Sequence, residues 1–201
     1  MEDAFQVIRS AIQAHPDNKV YTDQGWQPIY TAGPQAKLAI IGQAPGRKAQ
    51  ESQIAWNDAS GDRLRQWLGI EPEVFYDPNQ VALLPMDFYY PGKGKTGDKP
   101  PRKEFADIWH PQLLERMPAI RLIILVGRYA QEAYLTKDNR STLTERVRHF
   151  QDYLPDFFPI VHPSPLNGRW LNRNPWFQEE VLPALQDQVQ QVLTTHSEGQ
   201  W

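Results

Sequence analysis

The chain reads as an α/β protein, a three-layer sandwich whose central, mostly parallel four-stranded sheet is flanked by helices. Three observations predict this. Four short apolar runs stand at Leu38–Ile41, Val81–Pro85, Leu122–Val126 and Phe157–Val161, with the unbroken hydrophobicity of strands covered on both faces. Segments with apolar residues at helical spacing separate them. The 201 residues, 40% hydrophobic and 11% aromatic, suffice for one core that buries roughly 70% of the unfolded surface, so a single domain over 1–201 is expected.

Each element has a local reason. Residues 3–14 predict an opening helix, with Phe5, Ile8 and Ile12 on one face. Residues 15–35, rich in Pro, Gly and aromatics, predict an irregular N-terminal arm wrapped on the core. Ser60 can cap a helix that places Leu64, Trp67 and Leu68 at i, i+3 and i+4. Pro100-Pro101 can start another, running through Phe105, Ile108 and Leu113, and Gly127–Leu135 and Thr142–Phe150 supply two more. The last helix aligns Phe177, Val181, Leu185, Val189 and Val192, with Pro183 either kinking it or marking its start.

Composition excludes several functional classes. Without cysteine there are no disulfides, thiolate clusters or zinc–thiolate sites, and neither a metal nor a cofactor is expected. No apolar run approaches the ~18 residues of a membrane span. The start, Met1-Glu2-Asp3-Ala4-Phe5, lacks a signal-peptide pattern, so a cytoplasmic monomer is expected. The formal net charge of −3 does not announce a nucleic-acid binder, but net charge averages over faces. The segment Lys93 to Lys103 holds five cations in eleven residues, and Arg47, Lys48, Arg169 and Arg173 stand beside two unusual loops.

Those loops, Gly42-Gln43-Ala44-Pro45-Gly46-Arg47 and His162-Pro163-Ser164-Pro165-Leu166-Asn167, each follow a predicted strand. In a parallel sheet both therefore open onto the ligand-binding crevice at the strands' carboxyl ends. In the first, Gly42 and Gly46 permit a tight turn and close backbone approach, and the amides of a following helix start could receive an anion. In the second, two prolines bracket Ser164 and stiffen the loop, holding His162 in one pose. A neutral imidazole so held can donate to negative charge developing on a substrate oxygen.

The His-Pro-Ser-Pro-Leu-Asn segment, paired with the Gly-Gln-Ala-Pro-Gly loop about 120 residues earlier, resembles the uracil-DNA glycosylase superfamily. Within it, Gly42–Gly46 and Trp56-Asn57-Asp58-Ala59-Ser60-Gly61-Asp62-Arg63-Leu64 are similar to the iron–sulfur branch, although without cysteine that branch's cluster cannot form here. The resemblance implies a DNA glycosylase that excises uracil or another deaminated base from a nucleotide rotated out of the stack. DNA, single- or double-stranded, is then the partner. His162 would stabilise the departing base anion. Gln43 would serve as base or water contact, Trp56 as stacking platform, and Ala44 and Asp87 as further base contacts. Ser164 and neighbouring amides would pinch a phosphate and Leu166 would wedge into the gap, with Pro45, Gly46, Arg47, Asn167 and Arg169 as further DNA contacts.

The sequence also departs from the family. Positions 43 and 44 are Gln and Ala, so neither carries the carboxylate that activates water in related branches, and a neutral amide cannot act as a general base. Glu51, Asp58 and Asp87 are the substitutes in reach. The segment Leu83-Leu84-Pro85-Met86-Asp87 has no asparagine where the family reads the base edge. These departures keep two alternatives open, a catalytically silent member that binds nucleic acid or nucleobase, and a hydrolase of free nucleosides.

Overall fold

Sheet register and helix packing explain why the two loops meet. The computed structural model describes residues 4–140 and 142–194; Asp3, first residue of the expected opening helix, lies outside them. The strands are β1 (Leu38–Ile41), β2 (Val81–Leu83), β3 (Leu122–Val126) and β4 (Phe157–Ile160). All pairs are parallel, and the spatial order is β2-β1-β3-β4. The chain runs outward from β1 to β2, then crosses back to β3 and on to β4. The topological switch thus falls between β1 and β3, the place where such sheets bind ligands.

The longer helices are α1 (Ala4–Ala14), α4 (Ala59–Leu68), α6 (Phe105–Leu114) and α10 (Leu182–Thr194). Shorter ones are α2 (Lys19–Thr22), α3 (Arg47–Ser52), α5 (Pro72–Phe75), α7 (Arg128–Tyr134), α8 (Leu143–Arg148) and α9 (Gly168–Arg173). Alternate strand residues point to opposite faces. Leu38, Ile40, Leu83, Ile124 and Ile160 pack under α4, α8 and α10, while Ala39, Ile41, Ala82 and Leu125 pack under α1, α6 and α7. Three layers result, as the apolar runs predict.

Three details differ from expectation, and Pro183 takes one of its two expected roles, marking the start of the last helix. The strand expected to reach Pro85 pairs only over Val81–Leu83, and its outer edge exchanges hydrogen bonds with Thr31 of the arm, which covers an otherwise open edge. The arm itself is partly helical, at Pro16–Asn18 and α2. The helix expected from Pro100 begins at Phe105, because the Arg102 amide and guanidinium are held by Asp87. Pro183 follows a π-helical turn, Phe177–Val181, and stands at the second residue of α10; lacking an amide, it cannot extend the i→i−4 ladder backward. Pro159 sits in β4 without cost because β4 is an edge strand.

Candidate active site

A cavity of about 490 Å³ opens at the carboxyl ends of the strands. Its lining includes Gln43, Ala44, Pro45 and Gly46 after β1, Trp56 and Asp58 before α4, Pro85 after β2, and His162, Ser164, Leu166 and Asn167 after β4. Residues far apart in the chain thus share one wall. Between β1 and β4 stands only β3, which is followed by Gly127; a Cβ there would lie 3.6 Å from that of His162.

His162 has a defined tautomer. The Ser164 amide donates to its Nδ1 at 3.1 Å, so the neutral ring carries its proton on Nε2. Burial holds its pKa below the usual 6.5, and the nearby Asp58 carboxylate opposes that shift without reversing it. The ring is therefore a neutral N–H donor at pH 7.

The rest of this loop is locked by its own groups. Asn167 Nδ2 donates to the His162 carbonyl at 2.8 Å, Leu166 N–H donates to Ser164 Oγ at 3.2 Å, and Asn167 N–H donates to the Ser164 carbonyl. With prolines at 163 and 165, no backbone amide in 163–167 is left to bind an anion, which corrects the expectation that neighbouring amides pinch a phosphate. The Ser164 hydroxyl accepts from Leu166, so its own O–H remains a donor. Leu166 is 89% exposed.

Trp56 adopts a left-handed backbone, φ +57°, a conformation that costs a bulky residue about 1–3 kcal/mol. Its surroundings enforce it. Tyr76 Oη donates to the Ala55 carbonyl at 3.0 Å and lies 3.4 Å from that of Trp56; Arg65 donates to Tyr76 Oη at 3.0 Å. A Cβ at Gly61 would overlap the Trp56 carbonyl oxygen, and one at Gly42 would meet Trp56 Cζ2 at 2.7 Å. Glycine at both positions lets the indole settle on the β1 loop, 5.6 Å from the His162 ring.

Asp58, not Ser60, caps α4, its Oδ1 accepting from Gly61 N–H at 2.9 Å. It also lines the cavity. Among the described residues the only other cavity-lining carboxylate is Asp98, which faces Lys93 at 3.3 Å and the Tyr90 hydroxyl. Glu51 pairs with Arg47 at 2.7 Å outside the lining, so it is not a water-activating group in this arrangement.

Asp87 stands outside the cavity. It is fully buried, and its carboxylate receives Arg102 through Nε at 2.7 Å and Nη2 at 2.8 Å, plus the amides of Tyr89 and Arg102. An acceptor so filled has nothing left for a base, and the expected contact is corrected to a structural anchor. The adjoining wall is equally closed. Met86 and Asp87 donate their amides to the Gly42 and Gln43 carbonyls. Pro85 has no amide, and its carbonyl accepts from His110 Nε2 at 2.9 Å. His110 is a buried neutral imidazole, pushed down to about 4 by desolvation, whose Nδ1 accepts from Tyr134. The Gln43 side chain, by contrast, lines the cavity with no hydrogen-bond partner among the described residues.

Arg47 and Arg169 are exposed and do not line the cavity. One functional residue escapes sequence reasoning: Arg63 Nη1 donates to the Ser164 carbonyl at 3.2 Å, tying α4 to the His162 loop. Its presence in the Trp56–Leu64 segment was the one signal for it, but no spacing rule joins residues 101 apart. Among the described residues, no three His, Cys, Asp or Glu side chains gather into a metal-holding group, and no helix is long and apolar enough to cross a membrane.

The family model of the uracil DNA glycosylase superfamily matches residues 29–186, a span holding every cavity-lining residue. Among solved structures, the chain is similar to a solution NMR structure of a protein from Methanosarcina acetivorans, provisionally assigned as a uracil DNA glycosylase. That likeness is 16% in identity, covers 79% of this chain and 94% of the other, and has a TM-score of 0.46.

Proposed function

The chain belongs to the uracil DNA glycosylase superfamily, and from that premise we propose that it is a monofunctional DNA glycosylase releasing uracil or another deaminated base. A base within the helical stack cannot reach a cavity of this kind, so the nucleotide must rotate out. In this reading the flipped base lies against the Trp56 indole, and the exposed Leu166 side chain fills the gap it leaves. The Ser164 hydroxyl donates to a phosphate of the distorted strand.

The N-glycosidic bond breaks with its electron pair moving into the base. The departing anion places charge on a ring oxygen, toward which His162 Nε2–H donates. A preorganised donor of this type accounts for about 2.7–4 kcal/mol of barrier lowering. The sugar left behind is cationic, and water adds at its anomeric carbon, its proton passing through the Asp58 carboxylate to solvent, while the released base anion takes up a proton from solvent. Asp58 is the carboxylate in position to orient that water and to balance the cation; its free Oδ2 does this while Oδ1 keeps the helix cap. Gln43 contacts the base edge with its unpaired amide. No lysine among the cavity-lining residues is required as a nucleophile.

The observation that carries the reading is the tautomer of His162, held by Ser164 N–H so that Nε2–H is the donor. The test is incubation of purified protein with oligonucleotides containing uracil, hypoxanthine or xanthine, followed by alkali. Strand scission at the lesion is expected for at least one of them. The absence of a carboxylate at Gln43 and Ala44 supports a second reading, a silent member that binds DNA without cleaving it. Retained lesion binding with no alkali-labile product on any of the three bases establishes that alternative instead.

A further inference from the structure

The basic run at 93–103 takes no part in the chemistry above, yet part of it lines the same cavity. Lys93, Thr96, Gly97, Asp98 and Lys99 contribute to the wall. They form a closed hairpin, with Gly94 N–H donating to the Gly97 carbonyl at 2.8 Å, Lys99 N–H to the Gly92 carbonyl at 2.9 Å, and Lys93 bridging Asp98. Its base is anchored in the interior, where Tyr90 N–H donates to the buried Gln50 Oε1. A loop of this composition, exposed and free to unravel into solvent, is instead tied down at both ends.

The charges on the hairpin are not balanced. Asp98 neutralises Lys93, and Arg102 is taken by Asp87. Lys95 and Lys99 are exposed and have no acidic partner among the described residues. Two cations, Lys99 in the cavity wall and Lys95 beside it in the same hairpin, are thus held on a fixed scaffold in a chain whose net charge is −3. Such a local concentration of positive charge attracts a polyanion.

Position specifies which part of the polyanion. The hairpin follows β2, at one edge of the sheet, and the His162–Asn167 loop follows β4, at the other. Three inter-strand steps of about 4.8 Å separate these edges, roughly 14 Å in all.

We propose that the Gly92–Lys99 hairpin is a second phosphate clamp, in which Lys95 and Lys99 hold the damaged DNA strand on the side of the flipped nucleotide away from Ser164 and Leu166. The inference rests on the glycosylase reading and adds to it a grip on both flanks of the lesion. Clamping both flanks bends the strand over the cavity mouth, where Leu166 stands.

The test uses the full chain and fluorescein-labelled oligonucleotides bearing one uncleavable abasic-site analogue, with binding read by anisotropy from about 0.05 to 0.3 M salt. In the Lys95→Gln/Lys99→Gln variant the slope of log K against log salt becomes shallower by about 1.8, or about 0.9 for each phosphate that is no longer neutralised. At about 0.15 M salt this corresponds to roughly 30-fold weaker binding. Shortening the strand on the hairpin side of the lesion weakens the wild type but not the variant. The exposed Lys137, which does not line the cavity, serves as control, Lys137→Gln leaving the slope in place. A variant with wild-type slope and affinity, beside a wild type that binds and cleaves, overturns the clamp alone. A wild type that neither binds nor cleaves overturns the glycosylase reading as well.

Discussion

The loops after β1 and β4 line one cavity, but they are held in opposite ways. The β4 loop is fixed by its own side chains: Ser164 N–H on His162 Nδ1, Asn167 Nδ2 on the His162 carbonyl, and Ser164 Oγ under Leu166. The β1 loop is held through its main chain, the Gly42 and Gln43 carbonyls accepting from Met86 and Asp87, while the Gln43 side chain has no partner among the described residues. A reacting group gains from rigidity, because reorganisation at the transition state then costs little. A base-contacting group gains from free donors and acceptors. The rigid loop is thus suited to chemistry and the open one to recognition.

Removing the rigid side gives the largest effect. His162→Ala should lower single-turnover base release by about 10²–10³-fold on every base that is cleaved, leaving lesion affinity nearly unchanged. In the wild type the pH–rate profile should be flat above the ordinary imidazole value of 6.5 and decline only below it. The folded-state pKa is depressed, so the ring stays neutral through that range; as pH falls through its lowered value a proton enters Nδ1, the acceptor of the Ser164 amide, and the contact that holds the ring in place is lost. A decline that begins above 6.5 would contradict the assignment.

Asp58→Asn separates charge from structure, since Asn caps a helix about as well as Asp. The rate should fall about 10²-fold with a melting temperature close to that of wild type. Loss of stability without loss of rate would return Asp58 to a capping role only.

A smaller effect is expected where the two loops touch through Trp56. Gly42→Ala brings a methyl to 2.7 Å from Cζ2; the indole must shift, costing about 1–3 kcal/mol of stability, visible in urea unfolding. The smallest change belongs to the open loop. Gln43→Ala removes about 1 kcal/mol of hydrogen bonding, and its signature is a changed ratio of rates among uracil, hypoxanthine and xanthine. Equal losses on all three would make Gln43 a water contact instead.

Much of this was readable in the chain. The runs at Leu38, Leu122 and Phe157 became strands within a residue of their expected ends, because burial on both faces writes itself locally as continuous apolar residues. The bracketing of Ser164 by prolines announced a loop of few conformations, and the structure adds hydrogen bonds that close it on itself. Boundaries set by distant partners were not readable. Ser60 and Asp58 are equally good caps by residue type, and it is Asp58 that accepts from the third helical amide. Asp87 reads as a site carboxylate until Arg102, fifteen residues on, is seen to fill it.

The amino-acid sequence by itself determined the layered α/β class, the two loops at the strand ends and the family to which the chain belongs. Those features follow from residue type and near-neighbour spacing. Tertiary structure alone decided the proton's place on His162, Asp58 as a carboxylate at the cavity, the burial of Asp87, and the clasp of Arg63 on Ser164. Each of these depends on which groups meet after the chain has closed over many residues, and hydrogen bonds and desolvation act over only a few ångströms.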